Sequence, residues 1–89
     1  TTIYSQIGLS TAGNPGIWLN STSGDVRARM IVDTNNQGRI NLYGAQNNAQ
    51  FSAYVSQSGE SYLSLSNQSG NTRVYFGVDT LDHSYLILY

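Results

Sequence analysis

The 89-residue chain reads as an all-β protein on three observations. Good helix formers are scarce: there is no lysine, one glutamate and one methionine, while Ser, Thr, Asn, Gly and β-branched residues fill their places. Apolar residues alternate with polar ones at period two in one short segment after another. Polar clusters rich in Gly, Ser and Asn separate those segments at nearly constant spacing.

Taken along the chain, Ile3 to Leu9 is a first candidate strand, Asn14-Pro15-Gly16 a strong turn, and Ile17-Trp18-Leu19 a second short strand. Ala28, Met30 and Val32 then share one face of a segment, as do Ile40 and Leu42 in the next. The rhythm continues through Ala53 and Val55, Leu63 and Leu65, Val74 and Phe76, and Tyr85 and Ile87. Gly38, Ala49, Gly59, Gly70 and Leu81 stand at the head of successive segments, 11, 10, 11 and 11 residues apart. This is a degenerate repeat of one short strand and one turn per unit. Residues 1–24 form a less regular N-terminal β segment, and residues 25–89 the repeated part of one structural domain.

Each strand offers two or three inward side chains, and no cysteine is present to staple so thin a core. A monomeric antiparallel β-sandwich is the ordinary use of strands at this spacing. The alternative that accounts for more of the sequence is an intertwined homotrimer, a β-helix or β-prism in which copies of the same apolar pair meet on the axis. A lone sheet defends its edges with lysine, proline or inward charge, and here there is no lysine and only Pro15. The steps after Gly38 also lack the long crossing connection of a Greek key. The expected trimer core is Ile40, Leu42, Ala53, Val55, Leu63, Leu65, Val74 and Phe76.

The stretch from Ser23-Gly24-Asp25 to Tyr89, with its Gly-punctuated strands and Ser/Asn/Gln-rich turns, resembles the trimeric β-structured shafts of bacteriophage tail fibres and tailspikes. The likeness runs over this stretch and is one of style and periodicity. It implies a homotrimeric, extracellular virion module, a shaft or tip that serves host attachment and contacts cell-surface glycan. It also admits a non-catalytic part of a trimeric polysaccharide depolymerase; a monomeric carbohydrate-binding sandwich is the competing function. A start at Thr1 and an apolar finish at Tyr89 read as a segment of something longer.

Charge narrows the partners. With a formal net charge of −1 and only Arg27, Arg29, Arg39 and Arg73 as cations, no dense positive patch for nucleic acid is expected. No run approaches the ~20 apolar residues of a membrane helix. No cofactor is expected. Asp82-His83-Ser84 holds the three residue types of a catalytic triad, but neighbouring strand residues point to opposite faces, so the string reads as a turn or the start of a strand. The five carboxylates, Asp25, Asp33, Glu60, Asp79 and Asp82, fall in or beside expected turns, where Asp accepts local backbone hydrogen bonds. One chain has no metal-ligand spacing; on a threefold axis, three copies of His83 would hold an axial ion.

The aromatic residues carry the functional expectation. Tyr43, Tyr54 and Tyr75 are expected on one outward stripe, with Ser64 filling a gap, and with Trp18 and Tyr62 they would stack on sugar rings while Asn and Gln bond the hydroxyls. Cross-strand packing of β-favouring tyrosines explains the same residues without a ligand. Arg27 and Arg29 are expected to form a surface ladder with Asp25.

Overall fold

A computed structural model describes residues 4–89, so of the first candidate strand Ile3 lies outside the described residues. Eight strands form one open antiparallel sheet in simple sequence order. They are β1 (Ser5–Leu9), β2 (Pro15–Asn20), β3 (Val26–Val32), β4 (Gly38–Tyr43), β5 (Ala49–Val55), β6 (Ser61–Ser66), β7 (Thr72–Val78) and β8 (Ser84–Leu88). Every ladder joins sequence neighbours, and the sheet measures 47 × 27 × 14 Å, a single layer.

All seven connections are the same five-residue turn. In each, the first residue's N–H donates to the fifth residue's carbonyl and the fourth residue's N–H donates back to the first residue's carbonyl; in the Asp33–Gln37 turn both bonds are 2.9 Å. The fourth residue adopts a positive φ, as the αL residue of a three-residue hairpin loop does. Those fourth residues are Gly13, Gly24, Asn36, Asn47, Gly59, Gly70 and Asp82. Asn and Asp tolerate this region better than other side chains.

This geometry corrects the phase of the repeat. Gly38 and Ala49 open strands, whereas Gly59 and Gly70 sit in turns; the residues equivalent to Gly59 are Asn36, Asn47 and Asp82. Spacing alternates 11 and 12 because the register shifts at Leu19/Asn20, Leu42/Tyr43 and Leu65/Ser66, each time adding one residue to the longer partner strand. The true period is therefore two strands with their two turns. The N-terminal segment is also more regular than expected, since β1 and β2 share the turn type and the sheet.

Side chains at the head of the turns make the hairpins self-sufficient. Asp33 Oδ1 accepts from the N–H groups of Asn35 (2.9 Å) and Gln37 (3.0 Å), and Asn67 and Asp79 do the same in their turns. Partial desolvation pushes the Asp33 pKa up, but the N–H groups of Gln37 and Asn35 and the Arg39 guanidinium outweigh it and hold the carboxyl below its usual value. The Asp79 carboxyl is lowered too, by the His83 N–H first, against partial desolvation, and then by Leu81 and the His83 ring. A lowered folded-state pKa stabilises the fold above the unfolded value of 3.8 and loses that stabilisation as pH falls through the folded value. Thermal melts should therefore decline below about pH 4. Asp33→Asn with Asp79→Asn should keep the turns, because Asn67 already fills that slot, and should flatten the acid decline.

The two faces differ in composition. Register places Ile17, Met30, Ile40, Ala53, Leu63 and Phe76 in one row across the sheet, with Leu19, Ala28, Leu42, Phe51, Leu65 and Val74 in the next. Among the described residues nothing covers them and no hydrophobic side chain is buried; Leu42 is 47% and Ile7 82% exposed. All eight expected trimer-core residues lie on this face, Val55 in a third row opposite Ser61. In β8 the expected face is corrected: Leu86 and Leu88 oppose Phe76 and Val74, while Tyr85 and Ile87 join the other side.

Candidate functional site

The opposite face is polar and aromatic, and it is the better packed of the two. Alternation projects Trp18, Arg29, Asn41, Ser52, Ser64 and Tyr75 in one row, beside a second row holding Arg39, Tyr54, Tyr62 and Tyr85. Asn41, only 2% exposed, is the one fully buried side chain among the described residues. Its Oδ1 accepts from Arg29 Nε at 2.9 Å and its Nδ2 donates to Ser52 Oγ at 2.9 Å, so the amide is satisfied on both sides.

The tyrosines share this face but not one stripe, which corrects the expected equivalence of Tyr43, Tyr54 and Tyr75. Tyr54 opposes Tyr62, Tyr75 opposes Ser64, and Tyr43 sits at a register shift. What forms is a zigzag ladder, with ring centroids 4.7 Å apart for Tyr54 and Tyr62, 5.3 Å for Tyr62 and Tyr75, and 5.8 Å for Tyr75 and Tyr85. Tyr85 was missed because the period-two reading assigned it to the apolar face. Burial first, and then the hydrogen bond to Tyr85, push the Tyr75 hydroxyl well above the ordinary tyrosine range. The Glu60 carboxylate, with some desolvation, raises Tyr62 to about 12.

Arginines extend the aromatic packing. Arg39 lies 4.7 Å over the Tyr54 ring while its Nη2 bonds Asp33 Oδ2 at 3.1 Å, and Arg29 lies 5.6 Å from the Tyr43 ring centroid. Arg27 does pair with Asp25, at 3.6 Å, but Arg29 turns to Asn41 and Tyr43, so the expected Arg/Asp ladder is only half formed. Arg27 also donates to Gly44 O (3.0 Å) and Asn47 Oδ1 (2.7 Å), tying one turn to the next on the same side of the sheet.

Trp18 stands apart from the tyrosines. It opposes Arg29 and lines a cleft of about 380 Å³ with Asn14, Asp33, Asn35 and Arg39. That cleft offers an aromatic ring, guanidinium donors, two amides and a carboxylate, the mixture that stacks on a sugar ring and bonds its hydroxyls. A larger depression of about 620 Å³ lies against the apolar face, where Met30, Val32, Ile40, Ala53 and Val55 line it.

All five carboxylates lie in turns. Asp82 holds the positive-φ position, Ser84 opens β8, and His83 is 70% exposed with Nδ1 3.3 Å from Asp79 Oδ2. The ring thus pairs with Asp79, outside the Asp82-His83-Ser84 string. Among the described residues no three His, Cys, Asp or Glu side chains gather as metal ligands. No protein-family model matches the chain, and no curated protein matches it in sequence.

Proposed function

We propose that this chain is a structural and adhesion module of a bacteriophage tail fibre or tailspike, non-enzymatic, extracellular and homotrimeric. The observation that carries the reading is the uncovered apolar face. A sheet of 47 × 27 Å offers each copy more area than the ~800 Å² per partner of a standard interface, and its two bulky rows run through every strand from β2 to β7. At roughly 25 cal/mol per Å² of apolar surface, leaving such a face in water forgoes most of the burial open to a chain this small.

In the β-prism form of the trimer, three sheets stand turn to turn around an axis parallel to the 47 Å dimension. Leu63 and its row neighbours Ala53 and Phe76 then point inward, and the Trp18 cleft and the tyrosine ladder point outward, available to cell-surface polysaccharide. In that form each copy keeps the eight-stranded ladder of the single chain, and the three copies meet through side chains.

Sedimentation equilibrium tests the assembly: a mass of three 9.7 kDa chains is expected, and a mass of one or two chains overturns the trimer. For the adhesive half, a glycan array is read with the parent chain and with Trp18→Ala. Array signal lost at unchanged mass is expected; signal that survives the substitution removes the cleft from the reading.

A further inference from the structure

We propose that the polysaccharide bound on the Trp18 side of the sheet is an acidic one, with an anionic group of one sugar seated on the Arg29 guanidinium and the glycan running from the Trp18 cleft to a second depression at Tyr43. The inference rests on the glycan-binding reading of the Trp18 cleft and names the class of sugar.

The first observation is what Arg29 leaves unused. The neighbouring carboxylates already have their own arginines: Asp33 Oδ2 lies 3.1 Å from Arg39 Nη2, and Asp25 Oδ2 lies 3.6 Å from Arg27 Nη2. Among the described residues Arg29 pairs with no carboxylate. It donates from Nε to Asn41 Oδ1 at 2.9 Å, and neither Nη group meets an acceptor among those residues. The two Nη groups form the end of the guanidinium fork, which holds a carboxylate, or one edge of a sulfate or phosphate ester, through two parallel hydrogen bonds. Arg29 is half-buried, where its charge is screened less than that of an exposed side chain.

The second observation is the platform beside it. Trp18 stands directly opposite Arg29, which puts their Cβ atoms about 5 Å apart. A Cβ on Gly16 would lie 2.9 Å from Trp18 Cη2 and 2.6 Å from Ile31 Cγ2. The indole therefore lies along the strand over Gly16, in space that only a glycine leaves open. A sugar stacked on that ring has its substituents within reach of Arg29. The side-chain amides of Asn14 and Asn35, which line the same cleft and make no hydrogen bond among the described residues, are left for hydroxyls.

The third observation gives the site its length. Arg29 also lines a separate depression of about 260 Å³ with Asp25, Tyr43 and Asn47, and its guanidinium carbon lies 5.6 Å from the Tyr43 ring centroid. Asn41 opposes Arg29, and Tyr43 lies two residues farther on, about 7 Å along the strand. One cation thus stands between an indole and a phenol ring with a depression on either side, an arrangement of two sugar subsites that share one anion seat. The site belongs to β2, β3, β4 and their turns on the polar face, so it does not depend on what covers the apolar face.

The test uses a glycan array that carries neutral, carboxylated, sulfated and phosphorylated glycans, with the carboxylated ones repeated after reduction of their carboxyls to alcohols. Signals that depend on Trp18 should fall on the anionic glycans. Where the anion is a carboxylate, reduction should lower the signal about tenfold or more. Signals on the carboxylated set assign the anion to a sugar acid, and signals on the sulfated or phosphorylated set alone assign it to an ester.

Arg29→Gln keeps a donor for Asn41 at the place of Nε and removes the Nη pair. It should melt near the parent temperature and bind the anionic glycans about tenfold or more weakly. Raising NaCl from about 0.05 M to about 0.5 M should weaken binding by the parent and leave the residual binding of the variant nearly unchanged. Arg29→Lys, which keeps the charge without the fork, should fall between them.

Trp18-dependent signals carried by neutral glycans, or equal signals from acidic glycans and their reduced forms, overturn the acidic class and leave the adhesive reading standing. A folded Arg29→Gln chain that binds anionic glycans as tightly as the parent removes Arg29 from the seat. An array with no Trp18-dependent signal overturns both readings. The reduction arm uses the unsubstituted chain, so it decides the question even where a variant fails to fold.

Discussion

Leu63→Asp should abolish assembly. Leu63 lies at the centre of the apolar face between Ala53 and Phe76, and in the trimer three copies of it approach one axis. An aspartate there brings three carboxylates into an apolar, mutually repulsive site, where ionisation or forced protonation costs several kcal/mol per assembly. Sedimentation should show a single chain. Ser64→Asp is the matched control, one residue along and on the opposite face, and should keep the parent mass. A Leu63→Asp chain that retains that mass places the contact surface elsewhere.

The second large effect is expected at Tyr62, the middle of the aromatic ladder. Tyr62→Ala removes ring contacts to Tyr54 and Tyr75 and uncovers Gly77. Each aromatic pair contributes about 0.5–1.5 kcal/mol beyond the area it buries, so the loss should be about 2–4 kcal/mol. For a domain of this size that lowers Tm by roughly 10–20 °C, measured at one fixed protein concentration. Tyr62→Phe keeps the rings together and should recover most of the loss. An unchanged Tm for Tyr62→Ala would show that the ladder contributes nothing to the fold. On sequence grounds Tyr54→Ala is expected to spare Tm and weaken cell binding; with the Tyr62 ring packed at a tilt on one side and Arg39 on the other, it should lower Tm as well.

The strands and their faces were legible because alternation is a local property of the extended backbone. Ile40 and Leu42, or Leu63 and Leu65, need no partner to lie on one side of their strand. The reading failed in β8, where Ser84-Tyr85-Leu86-Ile87-Leu88 has bulky residues on both faces and alternation carries no contrast. It also misphased the turns by following glycine. Asn36, Asn47 and Asp82 take a positive φ at the turn position that Gly59 fills, and the Asp or Asn at the head of a turn marks the loop as well as glycine does.

The candidate site was legible only as a set of residue types. Trp18, Tyr43, Tyr54, Tyr62 and Tyr75 do share the polar face, yet their neighbours depend on register, and register depends on the extra residue that each long strand carries at its shift. That extra residue decides that Tyr54 meets Tyr62, that Asn41 is buried between Arg29 and Ser52, and that Trp18 opens onto a cleft with Asp33 and Arg39. By itself the amino-acid order determined an all-β chain of short strands with one greasy side, because strand geometry repeats every two residues. Only the tertiary structure decided that the strands form one layer with that side bare, since the register of each strand against its neighbour depends on the extra residue at each shift, which alternation along a single strand does not encode.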